Sequence, residues 1–166
     1  MKHNTASGAN SKRNTCTITF KNKEHENFYK EYLPKCRYQD VYHKALVYCL
    51  GVDSDTRSNI KAIYDFKTGN VKTDCLHQGW ITSGSARVIR MAYNLYNNGT
   101  PSVYDYDDLE EQLTECRCYS VEDLFCCGYA RYFWEAIKVR YPEYCFYRDW
   151  EDMYVENYAS GHHQGH

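Results

Sequence analysis

No stretch of this 166-residue sequence approaches the roughly 18 consecutive apolar residues that a membrane-spanning helix requires. Its opening residues also lack the apolar segment of a secretion signal. These two absences give the expectation of a cytoplasmic protein that does not contact a membrane. The cysteines contain no CxxC pair: Cys116 and Cys118 are separated by one residue, and Cys126 and Cys127 are adjacent. Zinc-binding pairs are usually two to four residues apart, so no metal site is expected, and the nine thiols read as reduced and partly buried. The terminal GHHQGH carries metal-binding side chains in a polar tail and is not read as a site. A phosphate-binding GxxxxGK loop, a GxSxG elbow and an HExxH motif are all missing. No cofactor is implied, and an ordinary metabolic enzyme is disfavoured, although a catalytic set gathered from distant residues would leave no motif. Finally, Asp and Glu are absent from residues 75–104.

Tyrosine, in contrast, is abundant. With 18 in the chain, it serves half-buried packing and contact surfaces alike, because one end of the ring is apolar and the other polar. Charge is divided along the chain. Residues 1–100 hold 15 Lys+Arg against 8 Asp+Glu, and residues 101–166 hold 5 against 14, for net values of +7 and −9. Attraction between the halves satisfies part of this internally, and whatever remains on the surface steers charged partners.

The spacing predicts a predominantly helical α+β fold, a single compact domain over residues 16–158 with a small β-hairpin or short sheet, a disordered tail over 1–15 and a frayed end over 159–166. The strongest pattern is a helix over 121–141, about five turns long. Its apolar residues recur three or four apart, Ser120 is its N-cap and Pro142 its stop. It is expected to be the central and most buried element, with Gly128 admitting a close neighbour. Elsewhere CTITF at 16–20 reads as a short strand. Asn22 caps a helix over 23–33, Asp40 caps VYHKALVYCL, and a third helix runs from Ser54 or Asp55 to Tyr64. Gly69 and Asn70 mark a hairpin within 65–82, where GWIT resembles another strand. Ser83 or Ser85 caps ARVIRMAYNLYN. An acidic helix or ordered loop occupies 105–115, and DWEDMYVENY adds a last helix.

Three constellations carry possible chemistry. Arg87 and Arg90 lie three apart on one helical face, with Asn94 a turn further on, in the segment that lacks acids. Two close guanidinium groups need an anion, expected to be shared. It is either a carboxylate such as Glu135 or Asp123, or a ligand phosphate, for which Trp80 offers a stacking surface. His25 and His43 are the candidates for proton transfer in metal-independent RNA cleavage. Asp105, Asp107, Asp108, Glu110, Glu111 and Glu115 place six acids in eleven residues without a base. That run is either a solvated helix face or an imitation of a row of phosphates that fits a basic nucleic-acid channel.

Several blocks together carry a resemblance: DVYHKALVYCLG at 40–51, DTR at 55–57, IYDF at 63–66, GWIT at 79–82, RVIRMAYNLYN at 87–97 and YARYFWEAIKVRYPEYC at 129–145. The sequence resembles a family of small proteins of unknown function from Gram-positive bacteria and their mobile elements. Proteins of such elements often look like anti-defence factors. The resemblance therefore implies an accessory protein, an anti-CRISPR that inhibits a type II effector by binding the protein–RNA complex, with possible RNA contact. Two alternatives remain open. One is an enzyme acting on RNA or a nucleotide through Arg87, Arg90 and His43; the other is a conjugation or regulatory accessory that binds protein only.

Overall fold

The computed structural model describes residues 17–145. Helix α1 (Lys23–Tyr32) starts where the Asn22 side chain accepts the His25 N–H, and it ends in a 3-10 turn over Leu33–Lys35 that holds Pro34 at its first turn. Helix α2 (Val41–Leu50) starts at Asp40, whose carboxylate accepts the His43 N–H. From Ala45 to Leu50 every residue of α2 is buried. A helix that is apolar all round belongs inside a fold, so α2 rather than the 121–141 segment is the central element.

Two helices lie against α2. Helix α5 (Ser83–Asn97) opens with a capping box in which Thr82 and Ser85 exchange hydrogen bonds, and it ends at Asn98 in the left-handed conformation, φ 54°. Helix α8 (Ala130–Arg140) buries Phe133 and Ala136. Both run antiparallel to α2. His43 and Tyr42 at its start meet Tyr96 of α5 and Arg140 of α8, while Cys49 near its end reaches the Val88 carbonyl. Arg140 closes the far end of α5. Its Nε donates to the Leu95 carbonyl at 2.9 Å, its Nη2 donates to the Asn98 side chain at 2.9 Å, and its guanidinium lies 3.5 Å from the Tyr42 ring centroid. Helix α1 covers α2 through Phe28 and Tyr29. It approaches closely at Gly51, where an added Cβ would meet the His25 ring at 2.5 Å.

Strands β1 (Tyr64–Asp65) and β2 (Asn70–Val71) pair antiparallel, Tyr64 opposite Val71 and Asp65 opposite Asn70. The turn between them needs Gly69 at φ 79°. The expected hairpin is present, and an α+β, mostly helical single domain describes the structure.

The 121–141 segment is two helices, α7 (Val121–Phe125) and α8. Ser120 caps α7 as expected, but Cys126 leaves helical geometry at ψ 52°, and Cys126, Cys127 and Gly128 are poor helix formers in succession. The break frees Tyr129 to donate its hydroxyl to Asp53 at 2.7 Å and to lay its ring against Gly84. Among the described residues no atom lies within 4 Å of a Cβ added to Gly128, so none of them crosses there. The expected third helix is likewise divided, into α3 (Ser54–Ser58) and α4 (Ile60–Ile63), with Tyr64 in the hairpin. GWIT begins in a turn and forms no strand, and residues 17–20 belong to no helix or strand among the described residues. Beyond a 3-10 turn over Pro101–Asp105, the acidic segment forms α6 (Leu109–Arg117). Pro142, the expected stop of α8, opens α9 (Pro142–Cys145). The two tails and the helix expected from DWEDMYVENY lie outside the described residues.

Candidate functional site

Arg87 and Arg90 do share a helical face, but each takes its own carboxylate. Arg90 forms a two-pronged pair with Glu115 of α6, Nε to Oε1 at 2.7 Å and Nη2 to Oε2 at 2.8 Å. Arg87 turns to α7, donating to the Asp123 carbonyl at 2.8 Å and to its carboxylate at 3.3 Å. The Ser102 hydroxyl donates to Glu115 Oε1 at 2.6 Å and also meets Tyr119 Oη at 2.7 Å. Glu115 and Ser102 are buried. Burial opposes the Arg90 charge, yet the hydrogen bonds and charge of Glu115 outweigh it and raise the Arg90 pKa. The two arginines thus clamp α6 and α7 onto α5. Asn94 donates to the Gly99 carbonyl at 3.2 Å, and the Trp80 indole N–H donates to Gln78 at 2.8 Å. Neither joins the arginines in one site.

The clamp has an unusual result for α6. The residue it buries is an acid, Glu115, while Leu109 and Leu113 are 68% and 51% exposed, one turn apart on the outside. Around them Asp107, Asp108, Glu110 and Glu111 are exposed. Asp108 also caps the helix, accepting the Glu110 and Glu111 N–H groups. Asp105 is separate from this set. It accepts the Thr73 hydroxyl at 2.8 Å and lies 3.9 Å from His77. A shallow groove of about 440 Å³, lined by Tyr106, Asp108, Glu110, Glu111, Thr114 and Glu115, runs beside the helix. Leucines at i and i+4 in a sequence ordinarily signal a buried stripe, and for that reason their exposure here was not visible from the sequence.

The two histidines differ in kind. His25 is fully buried, receives the Lys21 N–H at Nδ1 (3.2 Å) and gives its Nε2 proton to the Tyr48 carbonyl at 2.7 Å. A neutral ring is satisfied on both sides. Burial lowers its pKa from 6.5 to about 4, the Arg57 and Lys21 charges adding to the effect against the Tyr48 hydrogen bond. The unfolded chain therefore binds the proton first as pH falls. Stability from this group is complete above about pH 6.5 and is lost as pH falls toward about 4. At 1.36 kcal/mol per pH unit the loss is on the order of 3 kcal/mol. Urea melts at pH 7 and pH 4.5 should show it, and the His25→Gln variant should show a smaller difference between the two pH values.

His43, also buried, has Nδ1 2.7 Å from the Asp40 carboxylate and Nε2 3.3 Å from Tyr96 Oη. Tyr96 in turn donates to the Gly69 carbonyl at 2.8 Å and meets Tyr64 Oη at 3.2 Å. This Asp–His–Tyr chain joins the start of α2, the end of α5 and the hairpin. Its members are 32, 53 and 27 residues apart across the Tyr64, His43 and Gly69 contacts of Tyr96, a spacing that leaves no motif.

Among the described residues Cys36, Cys49, Cys75, Cys116, Cys118, Cys126 and Cys127 are free thiols. Burial pushes Cys36 and Cys75 up to about 11, which keeps them protonated and unreactive. Among the described residues no three His, Cys, Asp or Glu side chains are grouped to hold a metal ion, and no helix is long and apolar enough to cross a membrane.

No curated protein and no solved structure matches the chain. Residues 15–153 match the family described as Family of unknown function (DUF6075), and with its clamped α6 and its hairpin inside that span, the chain belongs to this family.

Proposed function

We infer that the protein acts by contact, presenting α6 to a protein partner whose surface is basic. The observation that carries this reading is the reversed polarity of α6: its acid Glu115 is locked inside by Arg90, and Leu109 and Leu113 stand outside among Asp107, Asp108, Glu110 and Glu111. Exposed apolar side chains rimmed by like charges suit docking, the apolar pair setting residence time and the acids steering approach. A channel built to hold phosphates supplies a complementary surface. The resemblance to proteins of mobile elements selects the partner within that class, a type II CRISPR effector in its protein–RNA form, inhibited in the cytoplasm as an anti-defence measure.

The test incubates purified protein with a reconstituted type II effector and a labelled guide, following target cleavage and guide length together. Inhibition is expected with the guide intact, weakening as salt rises. The Glu110→Lys, Glu111→Lys double variant should raise the inhibitory concentration at least tenfold while its thermal melt stays within about 1 kcal/mol of the parent, because both side chains are exposed. Unchanged cleavage at large molar excess across several type II effectors would count against the proposal.

The Asp40–His43–Tyr96 chain favours a second reading, an RNA-acting enzyme with His43 as the proton carrier. In the same assay that reading predicts a guide shortened by substoichiometric protein, with the shortening lost in His43→Ala.

A further inference from the structure

Four contacts join buried His43 to the β1–β2 hairpin: His43 Nδ1 to the Asp40 carboxylate at 2.7 Å, His43 Nε2 to Tyr96 Oη at 3.3 Å, and Tyr96 Oη to the Gly69 carbonyl at 2.8 Å and to Tyr64 Oη at 3.2 Å. Each contact needs one proton between its two atoms, and neither the carboxylate nor the carbonyl has one to give. Tyr64 and Tyr96 bring one each. A neutral His43 ring brings one more, which leaves three protons for four contacts, whereas a charged ring brings two and every contact is made. The short contact to the Asp40 carboxylate keeps its proton in both forms, because that hydrogen bond is charge-assisted. The proton that the neutral ring lacks is therefore the one on Nε2. Tyr96 then has a single proton for two acceptors, His43 Nε2 and the Gly69 carbonyl.

We propose that the proton on His43 Nε2 latches the hairpin turn: with His43 charged, Tyr96 accepts from it and donates to Gly69, and with His43 neutral, the Tyr96 hydroxyl turns to His43 and releases the Gly69 carbonyl. Gly69 holds the φ of 79° on which the turn depends, and its N–H reaches back to the Asp65 carbonyl at 2.8 Å. The base of the hairpin is anchored separately, with Tyr93 Oη 2.9 Å from the Ile63 carbonyl and 2.8 Å from the Lys72 carbonyl, so the release concerns the turn alone. The groups around His43 keep their charge through its titration. Burial opposes the charge of Asp40, but the His43 hydrogen bonds outweigh it and hold the carboxyl below the usual range. Burial pushes Tyr64 up, and Cys36, whose charge would act on Tyr64, up to about 11. Before α2, Tyr38 meets His43 edge-on at 5.8 Å with the Arg37 guanidinium 5.4 Å from its ring, and Lys44 follows His43 on α2. In the turn, Asp65 accepts the Lys67 and Thr68 N–H groups, and from α8, Arg140 is engaged with Tyr42, Leu95 and Asn98. The closed turn holds the extra proton, so it is favoured as pH falls and released as pH rises through about 5 to 8, where histidine changes charge. This is opposite in sign to His25. The latch rests on neither the inhibition reading nor the RNA-acting one.

Amide hydrogen exchange of the full chain, followed by NMR from about pH 5.5 to 8, tests the proposal in a range where His25, with its pKa lowered to about 4, stays neutral. The protection factor, from which the intrinsic pH dependence of exchange is divided out, should fall about tenfold at the Gly69 N–H, the size of one lost hydrogen bond. The fall should follow the titration of the His43 ring, read from the shifts of its carbon-bound protons. The Leu124 N–H, bonded to the Ser120 carbonyl at the start of α7, should keep its protection throughout. Tyr96→Phe retains the ring beside His43 and Tyr64 and removes only the hydroxyl, so in this variant the pH dependence at Gly69 should vanish while His43 still titrates. The proposal is overturned if Gly69 protection is constant across the range, or if its change does not follow the His43 ring. It is equally overturned if Leu124 loses protection in parallel, or if the pH dependence at Gly69 persists in Tyr96→Phe.

Discussion

Phe133→Ala is expected to destabilise the protein by about 3–5 kcal/mol. The ring is fully buried between α2 and the short α7, with Phe125 at 6.0 Å and Tyr129 at 6.4 Å between centroids. Truncation removes apolar area from the core and leaves a cavity that three different helices would have to move to fill. A lowering of Tm on the order of 10 °C corresponds to this loss in a chain of this size. Trp134, the next residue of the same helix, is 55% exposed, and its alanine variant should fall within about 0.5 kcal/mol of the parent. Equal melting temperatures for the two variants would mean that α8 does not present Phe133 to the core.

Arg90→Ala is expected to cost about 3–5 kcal/mol as well, for an electrostatic reason. Glu115 is buried and loses both prongs of its pair, keeping only the Ser102 hydroxyl. An unpaired carboxylate in that position must be hydrated by local opening or take up a proton, and either is costly. The cost belongs mainly to the charge left behind, so Glu115→Gln in the Arg90→Ala background should recover a substantial part of it. Arg87→Ala should be milder, because Asp123 is partly exposed and Arg87 also binds a carbonyl. Chemical denaturation of the three variants resolves the comparison. Arg90→Ala no less stable than Arg87→Ala would remove the pair from any role in holding α6 to the core.

Three helix starts are the most legible part of this sequence, whereas the cap expected at Ser83 or Ser85 is Thr82 and the third helix is capped by Asp53. Asn22, Asp40 and Ser120 act as caps because a short side-chain oxygen can meet an N–H two or three residues on without help from the rest of the fold. The Gly69 turn is local in the same sense. What escaped reading depends on distant neighbours. The long helix expected over 121–141 merged two apolar faces that belong to separate helices, since Leu124 and Phe133 point into one core from either side of a break. The central place of α2 is not legible in the sequence, because an all-apolar run has no stripe to read. For the candidate site, the facing of Arg87 and Arg90 was visible from their spacing, and so was the acidic run. That Arg90 would select the last acid of the run, and so turn α6 with its leucines outward, is a tertiary choice. The Asp40–His43–Tyr96 chain is likewise invisible, because Tyr96 is 53 residues from His43.

The closure of α5 by Arg140 has a consequence for the order in which a ribosome releases this chain. The Leu95 carbonyl waits for a donor 45 residues downstream, and the Asn98 side chain for one 42 residues downstream. At about 5–20 residues per second, α5 emerges several seconds before the side chain that finishes it. During that interval α2 and α5 can meet, but the Tyr42 ring, the Leu95 carbonyl and the left-handed Asn98 have nothing to close over them. A nascent chain stalled before Arg140 therefore exposes the apolar side of α2 that α8 later covers, and is the form a chaperone would hold.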